Sequence, residues 1–135
     1  MWRSVALQRN SVEPASLQRI QTDLLTALRS HRSVLQVSGD IGTSNEAKGM
    51  KEVMQGKAKV DGHYYASIVL KPKDVRFYFF PIYTHPTAFS LSEPLKKALK
   101  GKSCFHMKNW DDDLARECKN MIDKGVALYR SDGLI

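Results

Sequence analysis

The sequence predicts an α+β domain in which an antiparallel sheet is covered on one face by helices from the two ends of the chain. One apolar stripe at helical spacing lies near the N-terminus: Leu17, Ile20, Leu24 and Leu28. A second stripe of this kind lies near the C-terminus. Between them, segments that alternate polar and apolar residues are separated by turn residues, as in strands joined by short connections. Such strands pair antiparallel, and their sheet can bury one face and leave the other solvated.

The domain organisation follows from length and composition. The chain has 135 residues, of which 42% are hydrophobic, and this suits one core without disulfides. We expect residues 1–12, which lack periodicity, to form a flexible tail and residues 13–135 to form the domain. No apolar run reaches the ~20 residues of a membrane-spanning helix, so no membrane contact is expected. The two cysteines do not make a disulfide framework, which favours a cytoplasmic protein.

The first helix is predicted to begin near Pro14, because proline suits a first helical turn. Residues 40–45 have the composition of a loop, and residues 46–55 fit either a short helix or an irregular strand. A hairpin turn is predicted at residues 71–74. Strands are predicted over residues 33–38, 57–61, 63–70, 75–83 and 102–108.

Two further helices are predicted in the second half. A short one runs from Ser92 to Lys100 and ends at Gly101. The last helix begins at the acidic run 111–113, whose carboxylates suit the free N–H groups of a helix start better than a cation site. Its buried stripe is Leu114, Cys118, Met121, Gly125 and Leu128.

Alternation along the strands sorts their residues onto two faces. The set predicted to meet the helices is Ala58, Val60, Ala66, Ile68, Leu70, Val75, Phe77, Phe79, Phe105 and Met107. The set predicted to lie on the opposite face is Lys57, Lys59, Tyr65, Ser67, Arg76, Tyr78, Lys102, Cys104, His106 and Lys108. Basic and aromatic side chains together predict binding of an anionic small molecule or a single-stranded nucleic acid. A subunit contact in a homodimer and a merely solvated face of a monomer are the alternatives.

The charge distribution agrees with this hypothesis. The net charge is +7, and residues 57–108 have ten basic and three acidic side chains. A local excess of this kind attracts phosphates and acidic partners, or it serves solubility alone. The predicted ligand-binding residues are Lys57, Lys59, Tyr65, Arg76, Tyr78, Lys102, Cys104 and His106.

Catalytic chemistry has one candidate. Cys104 and His106 are two apart on a strand, so a thiol and an imidazole point the same way. No third residue that would orient them is visible, and as metal ligands they supply two where a closed zinc site needs four. There is no glycine-rich phosphate loop, HExxH, CxxC or GxSxG motif. The sequence therefore implies no cofactor, no metal ligand and no catalytic residue, and an enzyme that uses Cys104 and His106 remains an alternative.

Two segments resemble a known family. Residues 75–83 resemble its strand that ends in Pro-x-Tyr, and residues 91–105 are similar to its SPxLKKxxxGKSCFxF segment, with Met107 in place of the second aromatic. This is the YdhG-like family, the domain-of-unknown-function family 1801. The resemblance implies a compact α+β domain with the outline of frataxin, and hence the alternative of an iron chaperone. Frataxin-type iron binding uses an acidic ridge, whereas residues 14–40 contain only Asp23 and Asp40 as acids. We therefore do not transfer iron binding from the family to this chain.

Overall fold

The structure is a computed structural model that describes residues 14–135, and the predicted tail at residues 1–12 lies outside them. The helices are α1 (Pro14–Arg29), α2 (Phe80–Thr84), α3 (Glu93–Ala98) and α4 (Asp112–Ser131). The strands are β1 (Leu35–Ser38), β2 (Asn45–Gly49), β3 (Val53–Gln55), β4 (Ala58–Val60), β5 (Tyr64–Leu70), β6 (Val75–Phe79), β7 (Leu99–Lys100) and β8 (Cys104–Met107).

Six strands form one sheet in the order β1-β2-β5-β6-β8-β7, and every neighbouring pair is antiparallel. Strands β3 and β4 pair only with each other. The predicted α+β fold, an antiparallel sheet with helices from both ends of the chain, is confirmed. Within residues 14–135 none of the helices is both long and apolar enough to cross a bilayer.

The core lies between the main sheet and the pair α1 and α4. Phe77, Phe79 and Phe105 are fully buried there, as their alternation predicts. Leu24 and Leu28 of α1 and Ile122 of α4 close the core from the other side. The buried set, in which aromatic and branched side chains predominate, is large enough to drive folding of a domain of this size.

Polar contacts link the two long helices and the residues next to them. Trp110, just before α4, donates from Nε1 to a carboxylate oxygen of Asp23 on α1 at 2.8 Å. At the other end His31 Nε2 lies 2.7 Å from a carboxylate oxygen of Asp123. The predicted cap at the start of α4 is confirmed, because Leu114 N donates to the Asp111 carboxylate at 2.8 Å.

The predicted ends of the aromatic strand and of the short helix are wrong. The strand predicted over residues 75–83 ends at Phe79, and α2 follows, because Pro81 has no N–H for the ladder and suits a first helical turn. The short helix ends at Ala98 rather than Lys100, because Leu99 and Lys100 pair with β8 instead. The ambiguous residues 46–55 contain β2 and β3.

The placement of residues 57–61 in the main sheet is also wrong. Gly49 N donates to His63 O at 2.9 Å, so β2 pairs directly with β5. The chain between these two strands forms the β3–β4 hairpin, which lies outside the main sheet. A Cβ at Gly62 would lie 1.9 Å from Gly49 O, so the close approach depends on glycine. Ala58 is consequently exposed and Val60 only half-buried, and neither joins the core.

Candidate functional site

The side of the main sheet that points away from α1 and α4 is called the open face here. A row of paired residues crosses all six strands on it: Ser38, Glu46, Ser67, Tyr78, Cys104 and Lys100. Beside this row, Arg76 of β6 pairs with His106 of β8. The open face thus brings together four of the predicted binding residues, and each of the four is half-buried.

Tyr65 does not lie on the open face, contrary to the prediction. Ala47 pairs with Ala66 but Lys48 pairs with Tyr64, so β5 has one extra residue at this point. A bulge of this kind sends two successive side chains to the same side of a sheet. Tyr65 is fully buried in the core, where its hydroxyl donates to Ile122 O of α4 at 2.5 Å.

Tyr64 takes the place predicted for Tyr65. It pairs with Lys48 on the open face, is half-buried, and its hydroxyl forms a hydrogen bond with Ser67 Oγ at 2.6 Å. Simple alternation, counted back from the buried Ala66, assigns Tyr64 to the core and Tyr65 to the open face. The bulge exchanges the two, and no residue type in the segment marks it.

The predicted lysines Lys57 and Lys59 are not on the open face either, because the β3–β4 hairpin lies outside the main sheet. Lys59 still lines a hollow of about 390 Å³ where the hairpin meets β2 and β5, beside Lys48 and Tyr64. The carboxylates of Glu46 and Asp61 line the same hollow. This end of the open face is therefore polar and has side chains of both charges.

Lys102 lies in the turn before β8, not on a strand. Its Nζ is 5.6 Å from the ring centre of Tyr83, which is within the range of a cation–π contact. The ring of Tyr83 lies 5.4 Å from that of Phe80, and Phe80 lies 5.6 Å from Tyr64. An aromatic cluster thus continues from Tyr64 to the exposed ring of Tyr83.

Arg76 is held by a buried carboxylate, which the sequence predicts only as a turn residue. Asp74 is 6% exposed, and one of its oxygens accepts from Arg76 Nε at 3.1 Å. The other oxygen is 3.9 Å from His106 Nδ1. The bond from Nε fixes the guanidinium on the open face, and no residue among 14–135 engages its two terminal nitrogens. Those donors remain for a ligand.

A groove of about 500 Å³ continues the open face beyond its last strand, between α3 and β8. Its lining includes three lysines, Lys97, Lys100 and Lys108, with His106 beside them, and an apolar part formed by Pro94, Leu95, Ala98, Met107 and Leu114. Asp74 and Glu93 are the acids that border it. Lys108, predicted on the open face, thus lies in this groove, because β8 ends at Met107. Positive charge accordingly increases from the β2 side of the open face toward α3.

Cys104 and His106 do not form a nucleophile and its base. Burial raises the pKa of the Cys104 thiol, so the thiol stays protonated near neutral pH and is a poor nucleophile. Cys104 pairs with Tyr78 on the neighbouring strand, and interaction with its thiol raises the pKa of the Tyr78 hydroxyl. His106 instead directs Nδ1 toward Asp74. The arrangement lacks the hydrogen-bonded pair that covalent catalysis requires.

The acids considered for iron are engaged elsewhere. Asp23 accepts from Trp110, and Asp40 forms an ion pair with Arg29 at 3.5 Å. Among the residues that the structure describes, no three His, Cys, Asp or Glu side chains lie together in a way that could hold a metal ion.

No family model matches this chain, and comparisons with curated proteins and with solved structures likewise find no match. The resemblance to the YdhG-like family stays a prediction.

Proposed function

We propose that this domain is a non-enzymatic binding module that takes an anionic ligand on its open face. The observation that carries the proposal is Arg76, which a buried carboxylate anchors between Tyr78 and His106 with its terminal donors unengaged by the described residues. A guanidinium held this way is pre-organised for a phosphate or carboxylate, because little side-chain entropy is left to lose on binding.

The distribution of charge gives the molecule two unlike sides. The cations Arg76, Lys97, Lys100 and Lys108 lie at the β8 and α3 end of the open face and in its groove. The exposed acids of the run 111–113 lie instead at the start of α4, a helix that packs on the other face of the sheet and contributes Leu114 to the lining of the groove. A field with this direction steers an anion toward the open face and away from the helices.

The acids on the open face limit where the anion can sit. Glu46 occupies the row between Ser38 and Ser67, and Asp61 lies near it at the hairpin end. Like charges repel, so the anionic groups of a ligand belong at the β8 and α3 end, near Arg76 and Lys100. An uncharged ring of the same ligand then faces Tyr78 and Tyr64.

The test reverses two charges on each side of the molecule and measures binding of inorganic polyphosphate at low salt by calorimetry. The open-face variant is Lys100→Glu with Lys108→Glu, and the matched control is Arg32→Glu with Arg130→Glu, which changes the net charge equally. Reversal of an exposed charge ~4 Å from a phosphate changes their interaction by roughly 2 kcal/mol in water. We therefore expect the open-face variant to bind at least about tenfold more weakly, and the control to bind nearly as the wild type does.

Equal losses in both variants would show that polyphosphate senses only the net charge, and the proposed site would be wrong. Arg76→Glu is unsuitable as the first probe. It would leave Asp74 buried beside a second carboxylate, so that a loss of binding could reflect a loss of stability.

A further inference from the structure

We infer that the ligand of the open face is a single strand of nucleic acid that runs across the β-strands from Tyr64 toward α3. This inference rests on the proposed function and adds the class of ligand. Three features support it: the length of the path across the strands, the aromatic rings along it, and the combination of those rings with cations.

The length of the path exceeds what a free nucleotide fills. From Ser67 on β5 the row passes Tyr78 and Cys104 to Lys100 on β7, which crosses three inter-strand gaps. At ~4.8 Å per gap this is about 14 Å, and the groove lined by Lys97 and Lys108 extends it. A stacked single strand advances ~3.4 Å per nucleotide, so about four nucleotides fit on the row itself.

Aromatic rings lie along the same path. Tyr78 is in the row, Tyr64 is on the neighbouring strand, and both are half-buried on the open face. The hydroxyl of Tyr64 is fixed by Ser67, which holds its ring in place. Aromatic side chains on a sheet surface stack unpaired bases with little choice of sequence, because every base has a flat face.

The combination of rings and cations separates this ligand from other anions. Polyphosphate and acidic peptides can satisfy Arg76 and Lys100, but they have no regular series of flat rings for Tyr64 and Tyr78. Duplex nucleic acid keeps the flat faces of its bases stacked inside and presents only phosphates, sugars and base edges. Among these ligands, only a single strand has both a phosphate and an accessible base at every nucleotide. Its phosphates can contact the cations at the β8 end, and its bases can stack on the tyrosines.

The first experiment measures fluorescence anisotropy of labelled oligothymidylates from the dinucleotide to the decanucleotide, at low salt. Affinity should rise steeply up to about four nucleotides and slowly thereafter. A tetranucleotide should bind more tightly than polyphosphate of equal charge and than thymidine monophosphate. If polyphosphate binds but equals the oligonucleotide of the same charge, or if the monophosphate equals the decanucleotide, the inference is wrong and the proposed function stands. If neither polyphosphate nor any oligonucleotide binds, both are wrong.

The second experiment isolates the ring of Tyr78. Tyr78→Phe keeps a ring, whereas Tyr78→Leu keeps apolar bulk without one, so the pair controls for folding and for loss of the hydroxyl. Stacking contributes ~1–3 kcal/mol per base, so Tyr78→Leu should bind the decanucleotide roughly 5- to 150-fold more weakly than Tyr78→Phe. The salt dependence should be the same in both, because no phosphate contact is removed. Equal affinities of the two variants would overturn the inference.

Discussion

The bulge in β5 makes opposite predictions for two adjacent tyrosines. Tyr65 is fully buried, and its ring packs edge-to-face on Phe79 and Tyr129 at 5.6 and 5.1 Å between ring centres. Tyr64 is half-buried on the open face. Truncation of Tyr65 should therefore destabilise the fold, and truncation of Tyr64 should mainly weaken ligand binding.

The magnitudes follow from these contacts. Tyr65→Ala removes a fully buried ring and should lower the free energy of unfolding by about 3–5 kcal/mol. Tyr65→Phe removes only the hydrogen bond to Ile122 O and should cost about 1 kcal/mol. Tyr64→Ala removes a half-buried ring and should cost about 1 kcal/mol, which is typical of a partly exposed position.

Urea unfolding followed by circular dichroism measures the three stabilities, and anisotropy with an oligothymidylate measures binding. Tyr64→Ala should weaken binding while Tyr65→Phe leaves it unchanged. If Tyr64→Ala costs several kcal/mol and Tyr65→Ala less than one, β5 has no bulge and the simple alternation is right. The description of the open face would then be refuted.

Three more predictions concern the core. Phe77→Ala should lower the free energy of unfolding by about 3–5 kcal/mol in urea titrations, because the ring is fully buried; a loss below 1 kcal/mol would contradict its place in the core. Gly125→Ala should destabilise by about 1–3 kcal/mol, since the added Cβ would lie 2.5 Å from the Tyr65 hydroxyl. Because alanine favours helices, a stabilised variant in thermal melts would show that α4 does not approach the sheet so closely. Burial raises the pKa of Cys118 from 9.0 to about 12, so above pH 9 the unfolded chain loses this proton while the folded chain keeps it, and stability falls as pH rises. Urea titrations at several pH values should show a slope of up to about 1.4 kcal/mol per pH unit from this thiol. The slope should be reduced in Cys118→Ala, and an unchanged slope would contradict the assignment.

The helices and most of the core could be predicted because their signals are local. A stripe such as Ile20, Leu24 and Leu28 repeats with the period of the helix itself, and no other part of the chain is needed to interpret it. The same holds for Phe77 and Phe79 on β6, whose alternation matches a strand that is buried on one side. The cap at Asp111 is equally local, because a carboxylate there reaches N–H groups only three residues away.

The open face could be predicted only in part, because its composition depends on contacts between segments that are distant in the chain. Arg76, Tyr78, Cys104 and His106 share it because β6 and β8 are regular strands in register. The sequence does not predict that Asp74 anchors Arg76, because the residue type at a turn does not indicate whether its carboxylate points into the protein or into water.

Local patterns in the sequence specify which residues are apolar, which helices and strands they can form, and where positive charge accumulates. Contacts between distant segments set the rest. They join β2 to β5 through Gly49, which excludes residues 50–61 from the main sheet and moves Lys59 off the open face. They also produce the bulge in β5 that exchanges Tyr64 and Tyr65. Strand register depends on partners distant in the chain, and one extra residue reverses every side chain beyond it, so local periodicity cannot specify which tyrosine meets a ligand.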